Sequence, residues 1–516
     1  MSILNRRQLL GASLAGAGLV GLRAMATGLP VSFLLNPKSV RADDACAAGA
    51  QYLILSMSAN GDALNCNVPG TYDLPATFAA GTVNHSDPTD LSMAATPLTI
   101  GGKKWTAAKP WSTLPQNILD RTVFFHHSTG TANHGELGRV LELFGALRRG
   151  QWLPSYFAKT LRSCFNTVQA QPVTIGGEQL SFEGQYLPKL TPTGLKAVLS
   201  APKDLAATLQ GLRDDTLNKL NKALKDNRAQ TTAERAYLDN MALSQTDLRT
   251  MIQQVATDLA TIQSDDAANQ VTAAALLIKM NVTPVVTIHL PFSGDNHSDA
   301  NFNNEAVQTN ASVNNIKTLM SKLKTYGLED KVTFATLNVF GRTFDSLNGR
   351  GHNASHSVAL MIGKGFKGSV VGGIVPGGHA ADIDPATGAA ADGGDLSAGE
   401  SLASVAKTLG AGLGLSNAQL DDQITSGTAI RSVIAYALGG ALVGLGCYLG
   451  LIPFDPQTMR FDGVVRRHLE IMTGAGIVAG LIYWLIAGRN AGAWRLPRRP
   501  LHRPPPVPSN LRPPQL

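Results

Sequence analysis

Cysteine is scarce in this chain, and acid is missing from both of its ends. The four cysteines, Cys46, Cys66, Cys164 and Cys447, include no pair at the short spacing of a thiolate metal site, so a centre built on paired cysteines is excluded. A Cys66–Cys164 disulfide is allowed in an oxidising compartment, although spacing alone does not fix it. Residues 1–42 carry five Lys/Arg and no Asp or Glu, and residues 489–516 carry six Arg and no acid. Removing those eleven cations from the net charge of +7 leaves −4 for the stretch between. The folded body is therefore mildly acidic and offers no electrostatic case for nucleic-acid binding. Charged residues make up only 16% of the chain against 44% hydrophobic, lean but ordinary for a folded protein. The length of 516 residues allows one large core or two domains.

What is present begins with Asn5-Arg6-Arg7-Gln8-Leu9-Leu10 ahead of a short Gly/Ala-rich apolar run to Leu22. This is the pattern of a twin-arginine export signal over residues 1–42, with small residues for cleavage at Val40-Arg41-Ala42. The expected partner is the twin-arginine export machinery, and the expected location is the periplasmic side. Near the other end, 432–454 and 471–488 carry no charged residue, which predicts one or two transmembrane helices within 431–488 and an inner-membrane anchor. Residues 489–516 read as a disordered Arg/Pro-rich tail.

Between these ends, 43–430 reads as one α/β domain. Apolar strands are predicted at 51–57, 122–125, 285–290, 332–337 and 358–362, alternating with helices at about 136–149 and 302–326. Leucine-rich amphipathic periodicity marks a helical insertion over about 196–281. A mostly parallel sheet covered by helices is the expected architecture. In such a sheet, function gathers where the carboxyl ends of strands open into loops.

Polar residues do follow those strand ends. Asp62 stands in Asn60-Gly61-Asp62 after the first strand, and the second leads into a run from His126 and His127 to His134. Asp295 and His297 sit in Gly294-Asp295-Asn296-His297, where a carboxylate and an imidazole two apart can reach one divalent cation. Arg342, His352 and His356 follow the strand at 332–337. Ser128, Thr129 and Thr131 precede a predicted helix, as N-caps or as candidate nucleophiles, and nothing local chooses among them.

These motifs together (NGDALN, GDNH, FGRTF and GHNASH with VALMIG behind it) resemble the secreted bacterial family catalogued as domain of unknown function 1501, over residues 50–437. That family is itself similar to the alkaline phosphatase and sulfatase superfamily. The resemblance implies a three-layer α/β/α alkaline-phosphatase-like domain. It also implies metal ligation by Asp62, Asp295, His297 and His352, with His356 beside them, and Arg342 as the arginine of Glu-Phe-Gly-Arg. The acidic residues of the family pattern are replaced here by Val339 and Gly351, which weakens a second metal position because divalent ions need anionic oxygen. The implied chemistry is hydrolysis of a phosphate or sulfate ester with a divalent metal (zinc, calcium or magnesium), Arg342 bracing the anion. The competing expectation is a cell-envelope module that binds a small anionic ester or a glycan without turnover.

Overall fold

Tyr52–Ser58 is buried along its whole length, as a strand of continuous apolar character must be when both faces of its sheet are covered. The computed structural model describes residues 49–72, 91–200 except 166 and 168, 255–344 and 348–435, with short pieces at 216, 219–220, 222–226, 454–455 and 460–461. Eight strands form the central sheet: β1 (Tyr52–Ser58), β2 (Thr122–His127), β3 (Val173–Ile175), β4 (Lys189–Leu190), β5 (Val285–Ile288), β6 (Val332–Asn338), β7 (Ser357–Ile362) and β8 (Ser369–Val371). Their order is β8-β2-β7-β6-β1-β5-β3-β4. All neighbours are parallel except the two pairs that β7 makes, with β6 and with β2. The sheet is thus mixed and mostly parallel.

Side chains along β1 divide between two cores, as a two-residue period requires. Tyr52 and Ile54 pack with the helices α2 (Pro192–Leu199), α3 (Ala267–Lys279) and α4 (Asn303–Thr325), whereas Leu53, Leu55 and Met57 pack with α1 (Leu153–Phe165) and α5 (Ser401–Gly412). Helices cover both faces, which agrees with an α/β class. Because β7 runs against its neighbours, its start lies at the same edge as the carboxyl ends of β1, β2, β5 and β6. The four chain segments that leave β1, β2, β5 and β6, the last of them leading into β7, therefore meet at one edge of the sheet.

Several expectations need correction. The single helix expected at 136–149 is broken into Leu137–Leu141 and short 3-10 turns, because Leu143 and Phe144 take left-handed backbone (φ 53° and 51°). In the helical insertion, Val255, Leu259 and Ile262 are buried as their periodicity implies, but Leu220 and Leu224 are exposed, and most of 201–254 lies outside the described residues. Cys66 is a free, buried thiol whose burial pushes its pKa up to about 12, and Cys164 is disulfide-bonded to another cysteine, so no Cys66–Cys164 bond forms.

The membrane-spanning helices expected within 431–488 are corrected as well. No helix among the described residues is long and apolar enough to cross a membrane. Arg431–Val433 is a 3-10 turn and Ile434 bridges to Phe366, so the start of the first apolar run belongs to the edge of the α/β body. A second unit, Tyr436–Leu516, contributes only the two-residue strands Phe454–Asp455 and Arg460–Phe461, paired antiparallel. The rest of it, the tail at 489–516 and the export-signal stretch at 1–42 lie outside the described residues.

Candidate metal centre

Four side chains converge at the shared edge. His134, Asp295, His297 and His352 each offer one ligand atom, and these atoms all lie within 4.8 Å of one another. His297 Nε2 is 3.3 Å from Asp295 Oδ1, His134 Nε2 is 3.6 Å from Asp295 Oδ2, and the Nε2 atoms of His297 and His352 are 2.7 Å apart. Such a group can hold one divalent ion.

The tautomers fit that role. His134 Nδ1 lies 2.7 Å from the Ala59 carbonyl and His352 Nδ1 lies 2.6 Å from the Ala132 carbonyl. A carbonyl only accepts, so both Nδ1 atoms carry the proton and both Nε2 atoms turn a lone pair toward the cluster. The 2.7 Å approach of His352 Nε2 to His297 Nε2 then brings two imidazole nitrogens together where a cation would reconcile them. Three imidazoles and one carboxylate make a donor set suited to zinc and its first-row neighbours, since calcium and magnesium take oxygen ligands. Partial burial opposes ionisation of Asp295, yet the Arg342 hydrogen bond and charge, with His297 and His134, hold its carboxyl below the usual range. Burial is the main reason that the pKa of His352 is lowered, and the nearby Arg342, His134 and His297 charges add to it. Both groups thus favour the forms that bind cations.

Arg342 does not face outward to brace an anion. Its guanidinium is fully buried, donating to the carbonyls of Gly61, Asn60 and Arg350 and, at 2.9 Å, to Asp295 Oδ1. It orients the Asp295 carboxylate instead. Phe340, two residues earlier, is a buried floor: its ring stacks on His352 at 4.2 Å and meets His134 edge-on at 4.9 Å. Gly61 is what lets that ring lie there, because a Cβ at Gly61 would sit 1.9 Å from it, on backbone with φ +64°. Gly61→Ala should therefore cost about 1–3 kcal/mol of stability and weaken metal uptake, read by urea unfolding and zinc titration.

Asp62 lies against the turn that leads to Asp295 but outside the cluster. Its carboxylate is buried, with Oδ1 accepting the backbone N–H groups of Phe292, Ser293 and Gly294 at 3.0, 3.1 and 2.7 Å, and Oδ2 lying 3.4 Å from His289 Nε2. Burial would raise its pKa, but the His289 contact and the hydroxyl and N–H donors bring it down to about 2. Asp62 is thus a clamp on the turn that carries Asp295. His356 is buried elsewhere, 3.0 Å from His126 Nδ1 through its Nε2 and 3.3 Å from Asn65 Nδ2 through its Nδ1.

Each of the three candidate hydroxyls has an acceptor within reach. Ser128 Oγ and Thr129 Oγ1 lie within hydrogen-bond reach of the Ala354 carbonyl at 3.0 and 3.4 Å, and Thr131 Oγ1 donates to Glu136. Val339, where the family pattern has an acid, is wholly buried in the core shared with α1 and α5.

His134 is the member of the cluster that spacing does not single out from the run 126–134, and Phe340 and Arg350 carry no sequence signal of their own. Among curated proteins, none matches the chain. Residues 149–388, a narrower span than 50–437, match the model of the family described as Protein of unknown function (DUF1501), and this span holds Asp295, His297 and His352 but not His134.

Proposed function

We propose that this protein is a mononuclear metal-binding module of the zinc class, taking up an anionic oxygen group of a small ester or a glycan at its ion without forming a covalent enzyme intermediate. The observation that carries this reading is the convergence of His134, Asp295, His297 and His352, two of the imidazoles being fixed by backbone carbonyls. A bound ion supplies Lewis acidity toward an oxygen ligand. The chain's own part is to fix the donors: Arg342 and the Ala59 and Ala132 carbonyls hold three of the four in place. The enclosed Arg342 and the apolar Val339 favour binding over phosphatase-type turnover.

Ester hydrolysis is the second reading. In its favour, the ligand side chains are 36% (His134), 46% (Asp295) and 49% (His297) exposed, so the outward side of the centre is open to an ester. The Cys164 disulfide suits an oxidising compartment and so supports placement outside the cytoplasm.

Metal analysis tests the proposal. The purified chain should carry one equivalent of zinc, and Asp295→Ala and His297→Ala should each reduce it to background, since each removes one of only four donors. Generic phosphate and sulfate esters should not be turned over. Turnover by the wild type that is lost in Asp295→Ala would put hydrolysis in place of binding, and wild-type protein without metal would sink both readings.

A further inference from the structure

Glu305 sits in the first turn of α4 with 1% exposure, and Arg350, equally enclosed, donates to it through Nε at 2.6 Å and Nη2 at 3.0 Å. The carboxylate accepts two more hydrogen bonds, from Asn67 Nδ2 at 2.7 Å and Asn296 Nδ2 at 3.0 Å. Its four acceptor positions are thus filled by three chain segments. Asn296 stands between Asp295 and His297. Arg350 stands two residues before His352, and its backbone N–H donates to the Asn296 carbonyl at 2.9 Å. The Arg350 carbonyl in turn accepts from Arg342, which holds Asp295. Gly349 makes this approach possible, because a Cβ there would lie 2.2 Å from the His297 carbonyl oxygen.

Stability alone is a poor account of such a pair. An ion pair buried this deeply gives little or no net stabilisation over apolar residues of the same shape, because desolvation offsets the attraction. What it does supply is a fixed distance. Asp299 accepts the N–H groups of Asn304 and Glu305 at 2.9 Å each, so Glu305 is itself anchored to a capped helix of 23 residues.

We infer that the Glu305–Arg350 pair is the positioning device of the metal centre, setting the separation between the Asp295/His297 loop and the His352 segment from a rigid helix end. The inference rests on the metal-binding reading above. Neither residue touches the ion; both act through the backbone that carries its ligands.

The test uses the full chain, with zinc and cobalt(II) as probes. The double variant Glu305→Leu/Arg350→Met replaces the pair by apolar side chains. Its melting temperature in chelator should stay within a few degrees of wild type, while zinc affinity by competition titration falls about 10–100-fold. The visible spectrum of its cobalt form should change in intensity and position. Arg350→Lys keeps the charge but loses the two-pronged geometry, and it should weaken zinc binding in the same direction; it decides the matter alone if the double variant does not fold. Unchanged affinity and an unchanged cobalt spectrum in a folded variant overturn the positioning role while leaving the metal centre standing. Wild-type protein that takes up neither ion overturns the metal centre, and this inference with it.

Discussion

A glutamate in place of Val339 should destabilise the domain without adding a metal ligand. The family pattern has an acid near this position, and a carboxylate there would complete a second metal site if the backbone turned the side chain toward the centre. It does not. Val339 packs into the core beneath α1 and α5, while its backbone N–H donates to the Ser58 carbonyl at 3.0 Å. An unpartnered buried carboxylate costs about 3–5 kcal/mol, which for a body of this size lowers the melting temperature by roughly 5 °C. Differential scanning calorimetry and zinc stoichiometry check it together. A melting temperature that holds, with a second equivalent of metal, would show instead that 339 lies on the metal side.

Acid should unfold the protein well before its carboxylates titrate. His126, His127 and His356 are fully buried, on the facing strands β2 and β7 or just before β7. Burial is the first cause of their shifts, taking His126 and His127 down to about 4 and His356 well below its ordinary 6.5. Their hydrogen bonds explain why protonation is resisted. His126 Nε2 donates to the Pro69 carbonyl at 2.9 Å, so its Nδ1 must accept from His356 Nε2, whose Nδ1 in turn accepts from Asn65. One added proton breaks that sequence. His127 Nδ1 donates to the Ser128 carbonyl, and its Nε2 has no partner to receive a proton's charge. The folded pKa values lie below the unfolded one, so the proton favours the unfolded chain. The stability they contribute is whole above pH 6.5 and is lost as pH falls toward 4, on the order of 3 kcal/mol for each of His126 and His127. Asp62 adds a second loss between its ordinary 3.8 and about 2. Urea midpoints measured from pH 7.5 to 4.5 should fall steadily, and His126→Phe should flatten that slope. A flat profile in the wild type would mean that these rings are hydrated.

Much of this architecture was legible in the chain. Runs such as YLILSM and VALMI are too uniformly apolar for a half-exposed strand, so a doubly covered sheet followed from them, as did loops bearing Asp295, His297 and His352 at its edge. The roles of Asp62 and Arg342 were not legible, for a physical reason. A carboxylate after a strand serves equally well as a metal ligand or as an acceptor of backbone N–H groups. Here the choice was made by residues 292–294, more than two hundred positions away, which turn their N–H groups inward. Arg342 was likewise diverted by the carbonyls of Asn60 and Gly61. His356 resembled a ligand because it follows His352 closely, but its place immediately before β7 points it into the interior. His134 was hidden among three histidines in nine residues, where only the path of the loop could select it. The broken helix after it turned on left-handed backbone at Leu143 and Phe144, residue types that do not advertise such a conformation.

The exposure of the ligand side chains, set on backbone that Asp62 and Glu305 pin from beneath, bears on how the protein would meet its ion over time. Donors fixed before the ion arrives need no folding step to receive it, and donors open to solvent can surrender it to a competing chelator without the domain opening. Uptake and release then run fast in both directions. If the centre binds zinc as proposed, occupancy would follow the free concentration of the metal in the surrounding fluid, and the protein would act as a gauge of local supply, not as a store that keeps what it has once taken.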